Sequence, residues 1–153
     1  MNNLFDQDAI WMQEALKLAE QASFHDEVPV GAVLIQGEEL LAMASNATLA
    51  QCDPTAHAEI LVLRHGALKL GNPHLKNATL YVTLEPCPMC LGAIIQAQVK
   101  RVVFGAYDTQ LGAAGSALNL LHAPNLIWRP DMIGGMYAER AGELLRLFFQ
   151  KRR

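Results

Sequence analysis

Cysteine is scarce in this chain, with Cys52, Cys87 and Cys90 the three copies among 153 residues. So small and odd a number argues against a disulfide framework of the kind that staples small secreted domains. No stretch approaches the roughly 20 uninterrupted apolar residues that a membrane helix needs. The opening Met1-Asn2-Asn3-Leu4-Phe5-Asp6 has neither the basic nor the apolar region of a secretory signal. The expectation is a cytoplasmic protein with no membrane partner. Positive charge is also in short supply: twelve Lys and Arg stand against fifteen Asp and Glu, a formal net charge of -3. A sequence-blind nucleic-acid binder is usually basic, so any contact with nucleic acid should be local and shape-specific. Internal repeats, low-complexity segments and linker-like breaks are absent as well.

What is present is apolar mass. Hydrophobic residues make up 52% of the chain and charged residues 18%, which excludes disorder. The length fits a single domain, residues 1–153, with a sizeable core. Residues 8–24 have helical spacing, with Trp11, Ala15, Leu18 and Ala22 on one face. Val28 to Gln36 and Glu39 to Ser45 read as a hairpin turning at Gln36-Gly37-Glu38. A second helix is expected from Asp53-Pro54, with Asp as cap and Pro at the first helical position, fading at Leu70-Gly71. Ala78 to Thr83 is a strand, Pro88 to Ala97 a helix and Lys100 to Ala106 a strand. Gly112, Gly115 and Pro124 mark residues 107–125 as loop with a short helix; Leu126 to Arg129 is a last strand and Met136 to Gln150 a closing helix. The order implies a three-layer α/β/α fold, a mixed sheet of about five strands with helices on both faces.

Two short motifs carry chemistry. Thr55-Ala56-His57-Ala58-Glu59 falls at a helix start, and Glu85-Pro86-Cys87-Pro88-Met89-Cys90 falls where a strand turns into a helix. Pro88 suits the first helical position, which makes Cys87 the N-cap and Cys90 the third helical residue, with both sulfurs aimed beyond the helix end. Free N–H groups and the helix dipole there favour thiolates. On a helix, His57 and Glu59 are turned apart by about 200°, so a metal must sit off the helix end, with His57 as ligand and Glu59 as base. Two thiolates and one imidazole leave a tetrahedral zinc ion one open position, the catalytic pattern. The alternatives are a redox C-x-x-C pair, or a structural site closed by Cys52, His25 or His122.

H-x-E followed by P-C-x-x-C is the signature of zinc deaminases, a known association rather than a consequence of the spacing. Beyond it, the chain resembles the bacterial tRNA-specific adenosine deaminases, the TadA family, in several segments. These are Glu27 to Val33, Asp53 to Glu59, Ala78 to Cys90, Arg101 to Ala106 and Gly112 to Ser116. The resemblance implies a cytidine-deaminase-like fold, a homodimer, one zinc ion per subunit on His57, Cys87 and Cys90, and Glu59 as proton shuttle. It implies hydrolysis of adenosine to inosine at the wobble position of a tRNA anticodon stem-loop, with no nucleotide cofactor. Asn46 and Asp108, with Pro29, Ala58, Leu84 and Phe149, are implied on the substrate side. The closing segment Arg146, Phe148, Phe149, Lys151, Arg152 and Arg153 is either an RNA contact or an ordinary helix end. The chain departs from the family in two places, Thr109-Gln110-Leu111 where a lysine is common and a short basic tail, and both remove positive charge. A deaminase of free guanine or cytosine, and a non-catalytic RNA-binding subunit, stay open at this point.

Overall fold

A computed structural model describes residues 3–152. The first helix, α1 (Leu4–Ser23), opens where Asn3 Oδ1 accepts the N–H of Asp6 at 2.9 Å. It starts a turn earlier than hydrophobic spacing suggests, because Leu4 and Phe5 are exposed and bury nothing that periodicity could register. Its buried face is Met12, Ala15, Leu16, Ala19 and Ala22, with Trp11 and Leu18 half-buried at the edge.

The hairpin forms as expected between β1 (Gly31–Gln36) and β2 (Glu39–Ser45), with Gln36 opposite Glu39. Val28-Pro29-Val30 stays outside the ladder; Pro29 has no N–H to give it, and Val30 N–H turns back to Val28 O at 2.8 Å. Next come α2 (Ala58–Leu70), β3 (Ala78–Leu84), α3 (Pro88–Ala97) and β4 (Arg101–Ala106). Gly71 ends α2 at φ 70°, a left-handed position where a side chain would be strained.

A single 3-10 turn, Leu120–His122, precedes β5 (Asp131–Ile133) and α4 (Ala138–Gln150). The expected strand at Leu126–Arg129 is not one. Pro130 cannot donate to a ladder, so pairing with β4 starts at Asp131, whose N–H reaches Lys100 O at 3.0 Å. Leu126 and Trp128 instead pack on the core, with Trp128 Nε1 donating to Val99 O at 2.7 Å.

The five strands lie in the order β2-β1-β3-β4-β5. β1 runs antiparallel to β2 and β3, whereas β3, β4 and β5 run parallel. Alternation along the strands sends Ala32, Leu34, Leu80, Val82, Val102 and Phe104 to the face covered by α2 and α3. Val33, Ile35, Tyr81 and Val103 go to the face covered by α1 and α4. This is the three-layer arrangement read from the sequence. Among the described residues no helix is long and apolar enough to cross a membrane.

One polar group interrupts the second core. Asp8, on the buried side of α1, accepts the Tyr81 hydroxyl at 2.7 Å and both ends of the Arg101 guanidinium. The pair ties α1 to the start of β4 across the edge of β3. Removing one member would strand a buried charge, which costs several kcal/mol. Asp8→Ala should therefore destabilise the fold by about 3 kcal/mol in urea unfolding. A loss below about 1 kcal/mol would show that solvent readily replaces the carboxylate.

Candidate metal centre and substrate cleft

The segment before α2 folds differently from its sequence signals. Asp53 does not cap a helix; its Oδ1 accepts the N–H and hydroxyl of Thr55 at 2.8 and 2.7 Å, forming a local turn. The helix begins at Ala58, and His57 is its N-cap with extended backbone (φ -75°, ψ 152°). The imidazole therefore projects from the helix end, as the metal geometry requires. His57 provides no side-chain cap, and the first helical N–H, from Ala58, is taken by Asn46 Oδ1 at 2.8 Å from the end of β2. Between these points the loop is fastened from below by buried Glu27, whose carboxylate accepts Thr48 Oγ1, Leu49 N–H and Ala50 N–H at 3.3, 3.1 and 2.9 Å.

The start of α3 matches the sequence reading. Cys87 is the N-cap in extended conformation and Pro88 the first helical residue, and Cys87 Sγ makes no capping bond. That sulfur is free to face a ligand. His57 Nδ1 lies 3.8 Å from Cys87 Sγ and 3.4 Å from Cys90 Sγ. All three ligand atoms fall within 4.8 Å of one another. Tetrahedral zinc with ordinary Zn–S and Zn–N bonds would separate sulfur from nitrogen by about 3.5 Å. The donor set fits such an ion. Among the described residues no fourth His, Cys, Asp or Glu joins this group, so a site closed by Cys52, His25 or His122 has no structural basis. Cys52 is exposed and turned toward its own loop.

The three donor groups are perturbed in different directions. The bond from Cys90 pulls the Cys87 thiol down to about 4, and the same contact pushes Cys90 well above the thiol range. Interaction with Cys87 raises His57.

Glu59 sits beside these atoms in the first turn of α2, 3% exposed. Burial pushes its carboxyl up to about 7. Its Oε1 has no hydrogen-bond partner. A carboxyl with an unpaired oxygen and near-neutral pKa can both take and return a proton at physiological pH.

A cleft of about 430 Å³ opens over this cluster, a volume suited to one nucleobase-sized ligand. It lies beyond the C-terminal ends of β3 and β4, where open α/β sheets place their ligands. Asn46, His57, Glu59, Leu84, Cys87, Asp108 and Phe149 all line it. Cys90 is fully buried beneath, and Ala58 is buried behind with its N–H on Asn46. Pro29 is not on the wall, although Val28 and Val30 on either side of it are, as alternation in an extended segment dictates. Sequence reading missed Val28, Val30, Glu85, Tyr107 and Leu145; apolar residues such as Val28, Val30 and Leu145 carry no signal separating a cleft wall from a core.

The chain end splits between the two readings offered by the sequence. Arg152 is drawn inward: its guanidinium lies 3.5 Å from the Phe148 ring centroid and donates to Asp26 Oδ1 at 2.7 Å and Phe148 O at 3.0 Å. Phe148 is buried, Arg146 pairs with Glu143, and Lys151 is exposed. Arg153 lies outside the described residues. Phe149 is half-exposed on the cleft rim.

Comparison with known proteins agrees with this geometry. Residues 6–153 match the family model of the MafB19-like deaminases. The tRNA-specific adenosine deaminase of Bacillus subtilis is 42% identical over 147 residues, covering 96% of this chain and 91% of that protein. That of Haemophilus influenzae is 45% identical over 147 residues, covering 95% and 85% respectively. A solved structure from studies of A-to-I editing by tRNA:A34 deaminases at the wobble position of transfer RNA superimposes with a TM-score of 0.86. It is 40% identical, covering 89% of this chain and 99% of that one. Its five-stranded sheet, the two converging helix starts and these likenesses together place the chain in the MafB19-like deaminase family, among the tRNA-specific adenosine deaminases.

Proposed function

We propose that this protein deaminates adenosine to inosine at the wobble position of a tRNA anticodon. In this reading residues 1–153 act as one zinc deaminase domain, in the cytoplasm and as a homodimer. The observation that carries it is the three-ligand cluster opening into a base-sized cleft beside the unpartnered oxygen of Glu59. The choice of tRNA rests on the likeness to the Bacillus and Haemophilus enzymes.

His57, Cys87 and Cys90 would hold the zinc ion. When bound there, zinc supplies a Lewis acid that brings the pKa of a coordinated water from about 16 to near 7. Glu59 takes one proton from the attacking water and places it on N1 of the adenine. Water oxygen adds to C6, and the C6–amino bond then breaks as Glu59 moves the proton of the added hydroxyl to the departing amine. Water and adenosine give inosine and ammonia, and the carboxylate is returned to its starting state.

Asn46 accepts Ala58 N–H on its amide oxygen, which fixes the amide and leaves its NH₂ free for the substrate. It can therefore read an acceptor on the purine or ribose. Asp108 uses Oδ1 for the N–H groups of Gln110 and Leu111, at 3.0 and 3.1 Å. Its other oxygen can only accept, which suits a sugar hydroxyl and not a phosphate. Phe149 offers an aromatic face at the rim for a neighbouring base. A base inside a duplex cannot reach this depth, so an unstacked loop nucleotide is the natural substrate.

Purified protein incubated with tRNA, anticodon stem-loop, free adenosine, guanine and cytidine should release ammonia from the RNA substrates alone. Sequencing should then show inosine at the wobble base. Ammonia from free guanine or cytidine without inosine in tRNA would overturn the substrate assignment. Glu59→Ala should reduce turnover at least about a thousandfold, the upper part of the range for general acid–base catalysis, with zinc content unchanged.

Metal stoichiometry gives a separate check. Zinc content should fall to background in Cys87→Ala and Cys90→Ala but stay at one per chain in Cys52→Ser. Thiol and imidazole ligands must lose their protons to bind a metal ion. Affinity should therefore rise with pH, about tenfold per unit for each proton released. Competition with a chelator at pH 6 and pH 8 measures this, and equal affinities would rule out proton displacement.

A further inference from the structure

Glu85 takes no part in the chemistry above, yet it is 2% exposed and stands two residues before Cys87. Its carboxylate is filled by donors from a single loop. Oε1 accepts Asp108 N–H at 3.1 Å and the Ser116 hydroxyl; Oε2 accepts Ala114 N–H at 2.9 Å and Ser116 N–H at 3.2 Å. The backbone reinforces the link, with Glu85 N–H on Ala106 O at 2.8 Å and Ala113 N–H on Pro86 O at 2.9 Å. Gly112 lies so close that a Cβ there would stand 2.4 Å from the Glu85 carboxyl carbon. Glycine is needed at 112 because the carboxylate occupies the space.

The loop fastened in this way is irregular along most of its length, with one isolated bridge from Ala114 to Asn119. Its outer residues, Tyr107 to Leu111, form one wall of the cleft. We infer that Glu85 is a positioning residue that hangs the substrate-reading loop on the same turn that holds the metal ligands. This rests on the reading of the cleft as a nucleic-acid deaminase site. Glu85 acts through Asp108 and its neighbours, setting where the sugar-side contacts stand relative to the metal.

A carboxylate is specifically suited to the task. Its two oxygens offer about four acceptor positions, matching four donors. Glutamine has the same size but would turn an NH₂ toward N–H groups that need an acceptor. Glu85→Gln therefore unfastens the loop without opening a cavity.

The test combines steady-state kinetics on an anticodon stem-loop, zinc content, and hydrogen exchange of the free protein. In Glu85→Gln, zinc should stay at one per chain, KM should rise at least about tenfold, and kcat should stay within about threefold. Amides of residues 107–118 should exchange faster while those of β3 and α3 do not. Ser116→Ala, an exposed site that removes one donor, should move KM and loop exchange the same way by a smaller factor, and it serves if Glu85→Gln does not fold. Unchanged KM with unchanged loop exchange in both variants would overturn the inference. So would loss of zinc, or loss of kcat at constant KM, since either assigns Glu85 to the metal turn alone. Hydrogen exchange needs no substrate, so a protein inactive on tRNA would sink the proposed function while still deciding whether Glu85 orders the loop.

Discussion

Two helices that begin close together in space, though about thirty residues apart in sequence, impose the main constraint on this molecule. α2 and α3 sit on the same face of the sheet, and each ends its preceding loop with an extended N-cap residue, His57 and Cys87. An N-cap residue is half in the helix, so its side chain leaves along the helix axis instead of joining the apolar face. That lets His57 and Cys87 project from helices whose apolar faces are committed to packing. Both helices must also give up their usual capping partners. At α2 the deficit is met by Asn46 from a neighbouring strand; at α3, Pro88 has no N–H to satisfy.

The walls of the cleft repeat a second theme. Glu27 and Glu85 are both buried, and each collects the N–H groups of an irregular loop. Loops that line a reaction site cannot rely on ladder bonds for order, and a carboxylate that accepts several backbone donors substitutes for them. Glu59 is the contrasting case, equally buried but left with an unpaired oxygen. Three acids of similar burial thus differ in role through what faces them: two hold backbone, and one is kept free to exchange protons.

Much of this was legible in the residues. Pro88 behind Cys87 fixed the start of α3 and the direction of both sulfurs, because the constraint is local. The alternating faces of β1, β3 and β4 followed from period two, and the hairpin from Gly37. Where the reading failed, the deciding interaction was distant or silent in composition. Asp53-Pro54 has the chemistry of a helix start, but Asp53 spends its acceptor on Thr55 and the helix waits until Ala58. Leu126 to Arg129 is strand-like, yet Pro130 delays the ladder and Trp128 finds a backbone carbonyl on another element. Asp8, Glu27 and Glu85 are unremarkable as letters; their partners lie 21 to 93 residues away.

Several of the acids lie in the interior, and the net charge is small. Asp8, Glu27, Glu59 and Glu85 account for four buried carboxyl groups. Asp8 is cancelled by Arg101, and burial holds the Glu59 carboxyl above the usual carboxylate range. An approaching polyanion meets a molecule of small net charge, formally -3, with no general excess of positive charge to draw it in. Long-range attraction and repulsion should both be weak, leaving encounter rates only mildly sensitive to ionic strength and discrimination to the short-range fit of one extruded nucleotide.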